Sequence, residues 1–166
     1  VAAKARKEDR KVQVGLIFEI CVEKGSELAP DDPARQYKGR VVFQGNNVRD
    51  ESYNTAIFGE LSSAPSTMEA AKAVDAYGLC DGNSAEEADG TRAYTQAKLE
   101  GTETWVRLPK NRWPKHWGNK YKDPVCPLRL ALYGHPDSGG YWEKHCEKIL
   151  MKKGFAPVPN WRSMYF

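Results

Sequence analysis

Apolar residues fall in a few short runs, separated by polar, glycine and proline positions. The first run, residues 12–22, is dense in Val, Ile, Leu and Phe and is interrupted by Gln13 and Glu19. Its composition and length predict a buried strand. Residues 23–36 hold Gly25, Ser26, Pro30, Asp31, Asp32 and Pro33, which is loop chemistry. Residues 37–44 read as a second strand, closed by Gly45, Asn46 and Asn47. Two such runs in succession predict an antiparallel hairpin with a long loop.

A helix is expected from residue 66, with Ser66 as N-cap and Glu69 placed as in a capping box. Gly78 ends it. Residues 84–89 suggest a short strand and 91–99 a short helix ended by Gly101. Residues 104–108 and 125–132 read as strands, joined by a connection rich in Trp, Lys and Pro. A sharp loop at 133–140 leads into a helix over 141–153. Trp142, His145, Cys146, Ile149 and Leu150 would form its apolar stripe. Lys152 and Lys153 suit the negative end of the helix dipole, and Gly154 suits the C′ position. Residues 161–166 look like a last strand. Strands and helices mixed without regular alternation predict an α+β fold.

The length of 166 residues fits one domain, and 40% hydrophobic with 28% charged residues is ordinary for a globular chain. No apolar run reaches the roughly 18 residues of a membrane span. Four cysteines without a Cys-x-x-Cys pair point to reduced thiols and an intracellular protein. His145 beside Cys146 lacks a second pair at zinc-site spacing. Val1 in place of Met points to a start further upstream. The charge is uneven. Residues 1–49 carry 10 Lys/Arg against 7 Asp/Glu, residues 50–104 carry 3 against 11, and residues 105–166 carry 12 against 4. Basic flanks around an acidic centre suit an enzyme that attracts phosphate and holds cations, and equally suit the solvated faces of any globular protein.

Four segments, taken in order, change the picture. Tyr37-Lys38-Gly39-Arg40-Val41-Val42-Phe43-Gln44-Gly45 resembles a strand of the form Tyr-Lys-Ala-Arg-Leu-Val-Ala-Gln-Gly. Asp89-Gly90-Thr91-Arg92-Ala93-Tyr94 resembles Asp-Val-x-x-Ala-Phe, and Leu99 and Gly101 keep its continuation. Thr104 to Pro109 is similar to a Val-Tyr-Met-x-x-Pro segment. Val125-Cys126-Pro127-Leu128-Arg129-Leu130-Ala131-Leu132-Tyr133-Gly134 is similar to Val-Cys-x-Leu-x-x-x-Leu-Tyr-Gly, with Trp142 following. In this order they resemble the amino-terminal part of copia-type retrotransposon reverse transcriptases, across roughly residues 12–166.

That resemblance implies a fingers hairpin over about 1–65 and a helix with partial palm over about 66–166. It implies RNA-directed DNA polymerisation, with an RNA template, a DNA primer and dNTP as partners and Mg2+ as cofactor. Asp89 takes the place of the first catalytic and metal-binding carboxylate. Hard oxygen ligands suit the magnesium ions of nucleotidyl transfer. Tyr94 corresponds to the ring that blocks a ribose 2′-hydroxyl. Lys38 and Arg40 would face the incoming triphosphate, and Gly134 would line the template and nucleotide. Lys110, Arg112, Trp113, Lys115 and Trp117, together with Lys120 and Lys122, would touch template backbone and bases, or else form a solvated connection with two buried anchors.

Departures accompany the resemblance. The second carboxylate motif, Tyr-x-Asp-Asp, does not occur among these residues, and Asp31-Asp32 lies in a proline-flanked loop. The family's Gly-Leu-Lys-Gln-Ala-Pro-Arg loop is here Gly134-His135-Pro136-Asp137-Ser138-Gly139-Gly140. The expectation is therefore a polymerase fragment inactive by itself. The alternative is a non-catalytic nucleic-acid-binding module or a structural subunit of a protein assembly.

Overall fold

The computed structural model describes residues 1–59, 65–85 and 89–166. Among them the order is α1 (Ala2–Lys7), β1 (Val12–Lys24), β2 (Gln36–Phe43), β3 (Arg49–Asp50), α2 (Met68–Gly78), β4 (Glu103–Arg107), β5 (Val125–Pro127) and α3 (Ser138–Lys152). Short 3-10 turns at Ala93–Gln96, Lys110–Arg112 and Lys115–Lys120 link the later elements. The fold is α+β, with a mixed sheet in the order β2-β1-β4-β5 and β3 paired to β1. No helix among the described residues is long and apolar enough to cross a membrane.

β1 organises the sheet by changing partners along its length. Its first part runs parallel to β4, from Val12 opposite Glu103 to Leu16 opposite Arg107. Its second part runs antiparallel to β2, from Ile17 opposite Phe43 to Lys24 opposite Gln36. Val12, Val14 and Gly15 are buried, whereas Phe18, Ile20 and Val22 are 42%, 38% and 47% exposed. The expectation of a strand buried throughout 12–22 is therefore corrected. β4 ends opposite Leu16, so among the described residues no strand pairs with that edge of β1 beyond it. The remaining hairpin projects with most of its side chains exposed, and Arg112 reaches it at Glu19.

The main core joins Phe43, Val48 and Val106 to Ile17, Phe58, Leu108, Leu128 and Leu132. Phe43 is its largest fully buried side chain. Its ring fills the space above Gly15, where any Cβ would overlap it. A second cluster, Ala97, Ala131 and Tyr141 with Tyr94 and Leu99, lies under α3. Burial of side chains of this size is worth about 2 kcal/mol each.

Several boundaries differ from those read in sequence. The N-cap of α2 is Thr67, whose hydroxyl accepts from the Ala70 N–H at 3.2 Å, and Ser66 lies outside the helix. Glu69 is one position too early to complete the reciprocal box around Thr67. The helix expected over 91–99 is only the 3-10 turn Ala93–Gln96. It is cut short because Ala97 to Leu99 pair with Arg129 to Ala131: Leu99 donates to Arg129 at 3.0 Å and Ala131 to Ala97 at 2.9 Å. Of the strand expected at 84–89, residues 86–88 lie outside the described residues, and residues 84, 85 and 89 are not in a strand. The strand expected over 125–132 is regular only at Val125–Pro127, with an isolated bridge at Leu130. The last segment folds back as a short two-stranded turn, with Pro157 opposite Tyr165.

α3 starts at Ser138, inside the expected loop. The Ser138 hydroxyl donates to the Leu132 carbonyl at 2.8 Å and accepts the Leu132 N–H at 3.0 Å, which anchors the helix start to the strand before it. At the other end Phe155 N–H bonds to Leu150 and Gly154 N–H to Met151, with Gly154 at φ +97°. This is the two-bond Schellman cap that a glycine at C′ permits.

Candidate functional site

The exposed ribbon presents two chemically distinct faces. Residues directly opposite in an antiparallel pair share a face. Phe18, Ile20, Val22 and Lys24 thus lie beside Val42, Arg40, Lys38 and Gln36. Every charge on this face is positive. Lys24, Lys38 and Arg40 have no carboxylate partner among the described residues. The opposite face carries Glu19 and Glu23, and both are paired. Arg35 donates twice to Glu23, at 2.8 and 3.0 Å, and Arg112 pairs with Glu19 at 2.6 Å. Arg112 is thereby directed to the acidic face of the ribbon and braces it against the segment after Pro109.

The base of the ribbon meets the loop before α3. Phe43 donates its N–H to the Tyr133 carbonyl at 2.7 Å. Gly134, at φ +85°, lies directly on the Phe43 carbonyl and the Val42 side chain, and Gly45 lies against the Gly134 carbonyl. Only glycine allows both the left-handed backbone and this close approach. His135 follows and is 6% exposed. Its ring lies 5.0 Å from Phe43 and 5.3 Å, edge-on, from Phe58. Nδ1 accepts the Asp137 N–H at 3.2 Å, so the ring is neutral with its proton on Nε2. Nε2 has no partner among the described residues. Burial lowers the His135 pKa from its usual value to about 4. The buried Oδ1 of Asp137 is also unpartnered, and burial raises that carboxyl. Sequence reading did not single out His135. Only its place in an otherwise sharp loop next to Gly134 could have drawn notice.

Tyr94 stands on the 3-10 turn Ala93–Gln96, half-buried, with its ring 4.8 Å from that of Tyr133. Tyr94, Tyr133, Gly134 and the base of β2 are therefore contiguous. Asp89 is exposed and has no hydrogen-bond or ion-pair partner among the described residues. The next residue, Gly90, lies against the Trp142 ring of α3, where an added Cβ would come within 3.2 Å. Arg92 adopts a left-handed backbone at φ 53°, held by the Thr95 hydroxyl and the Gln96 amide bonding back to Arg92 and Thr91. Among the described residues no three His, Cys, Asp or Glu side chains converge as metal ligands. Asp89 alone does not fit a two-magnesium centre.

The segment 109–124 builds an aromatic cluster. Trp113 donates to the Leu108 carbonyl at 3.0 Å, and its ring lies 6.5 Å from that of Trp117. Trp117 meets His116 and Tyr121 edge-on at 6.4 and 6.0 Å. Both indoles are half-buried, whereas Lys110 and Lys115 point to solvent and Lys120 lies over the Tyr121 ring. Trp113 and Trp117 are thus anchors that hold a lysine-bearing surface. Comparison with family models, curated proteins and solved structures returned no match.

Proposed function

We propose that this chain is the fingers and part of the palm of an RNA-directed DNA polymerase of the copia retrotransposon type. One observation carries the reading. Segments 37–45 and 125–134, separate motifs in the sequence, meet in space through Phe43 to Tyr133 and Gly45 to Gly134. A fingers strand seated on the loop that lines template and nucleotide is what the resemblance requires. The unpaired cations Lys38 and Arg40 then point one face of the ribbon at phosphate, where an Arg fork binds two oxygens at once. Gly134 keeps side-chain bulk away, and Tyr94 places a ring two contacts from it. Asp89 is a single exposed carboxylate, and the work these residues account for is binding and orientation.

The test is RNA binding across a salt series, run beside primer extension on an RNA template with magnesium. Salt-sensitive binding that weakens in Lys38→Ala and Arg40→Ala, without extension, is the expected result. Extension that vanishes in Asp89→Ala would show a working metal centre. Failure to bind RNA or primer-template even at low salt would sink the reading. A second reading, a non-catalytic nucleic-acid-binding or structural subunit, draws on the lysines around Trp113 and Trp117. It would lead if RNA binding persisted in Lys38→Ala/Arg40→Ala and fell in Lys110→Ala/Lys115→Ala.

A further inference from the structure

A second recessed surface lies apart from the ribbon. The 3-10 turn carrying Tyr94, the helix α3 and the final turn around Tyr165 enclose a cleft of about 500 Å³. Three aromatic rings line it: Tyr94, Trp142 and Tyr165, with Leu150 and Pro65 completing the apolar wall and Glu143 at the edge. Tyr94 is backed by Tyr133, and Trp142 by Gly90 and His145. Among the described residues the three lining rings do not stack on one another. They stand around a gap rather than filling it.

The electrostatics of the gap favour a cation. Ring faces are negative, and a desolvated cation over several of them gains more than at an exposed site. The Glu143 carboxylate is ion-paired with Arg162 at 3.2 Å and accepts from Ser163 at 3.3 Å through the same Oε1, so its charge is already compensated and the attraction for a cation comes from the rings. Tyr165 is half-buried at the cleft wall, and burial followed by the nearby Glu147 raises its hydroxyl above the usual value. A compact ammonium would be hydrated too strongly to enter an apolar wall, whereas methylation removes its hydrogen-bond donors and spreads its charge. We propose that the cleft between Tyr94, Trp142 and Tyr165 binds a methylated ammonium group, as carried by choline or by a trimethylated lysine side chain. At about 500 Å³ the cleft has room for that headgroup and part of the chain behind it.

The cleft shares Tyr94 with the polymerase reading, so the test is made at Trp142 and Tyr165, which that reading does not use. Choline would be titrated into the full chain while the indole N–H signal of Trp142 is followed by NMR, and 3,3-dimethylbutanol would serve as the uncharged isostere. The expected result is a saturable shift with choline at least about fivefold tighter than with the isostere, in line with a cation–π contribution. Trp142→Leu and Tyr165→Leu should abolish choline binding, the former read from the ligand's methyl signal, while Tyr165→Phe keeps it. Circular dichroism would check that each variant remains folded. Equal binding of the isostere would reduce the cleft to an apolar pocket and overturn the proposal. Absence of a saturable shift at tens of millimolar choline would overturn it as well. A trimethyl-lysine peptide binding more tightly than choline would assign the group to a protein partner, and the reverse order to a free small molecule.

Discussion

The two halves of β1 are alike in composition and opposite in environment. Val12, Val14, Leu16 and Ile17 lie between strands and under the core, whereas Phe18, Ile20 and Val22 lie on a free ribbon. Hydropathy reports what a residue prefers. Burial also needs a neighbour, and β4 runs out opposite Leu16. Stability and binding should therefore separate along a single strand. The base carries the free energy of folding, and the tip carries surface chemistry.

The largest break in this comparison should come from Phe43→Ala. Loss of this ring from the base should cost about 3–5 kcal/mol in chemical denaturation, whereas Phe18→Ala at the tip should cost under about 1 kcal/mol. Similar losses at the two sites would refute the division. Acid should act next, through His135. The fold depresses its pKa to about 4, so below the unfolded value of 6.5 the unfolded chain binds a proton that the native chain refuses. Stability from this group is complete above pH 6.5, falls as pH drops toward 4, and then levels off. The loss should reach about 2–3 kcal/mol by pH 4.5. His135→Phe should flatten that part of the stability curve, as measured by urea midpoints at pH 7 and 4.5.

A smaller effect, about 2 kcal/mol, is expected for Gly134→Ala, which adds a Cβ on the Phe43 carbonyl at a left-handed backbone position. Gly39→Ala on the ribbon, where an added Cβ meets nothing within 4 Å, is its control and should be near neutral. Thermal melts of the pair would sharpen the contrast. Smallest in folding terms, Lys38→Ala and Arg40→Ala should leave the melting temperature unchanged. Each should instead lower the slope of log affinity against log salt for RNA by about 1.

Much of the scaffold was legible in the sequence. The hairpin followed from two apolar runs and the loop residues between them. The end of α3 followed from Lys152, Lys153 and Gly154, because a C-cap is a local decision. Local decisions by other elements were misread. Thr67 outcompeted Ser66 as cap, and the six residues of α1 are too short to show a period. The 3-10 turn Ala93–Gln96 could not be told from a helix, since what shortens it is pairing with Arg129 to Ala131, distant in sequence. For the same reason the candidate site was only half visible. Motif order suggested Tyr94 and Gly134, but no spacing rule brings Gly134 to Gly45, His135 between two Phe rings, or Gly90 to Trp142. Those are facts of tertiary approach.

The parallel pairing of β1 with β4 also sets an order of assembly. Gln13 and Thr104, side by side in the sheet, are 91 residues apart. The β1–β2 hairpin closes over a far shorter loop and can form early, since loop-closure entropy rises with length. During synthesis the tip of the ribbon would thus take shape while the base of the same strand still lacks its neighbour. Until residue 107 leaves the ribosome, Val12 to Leu16 remain an open strand edge, the form of exposed backbone most prone to pair with another chain.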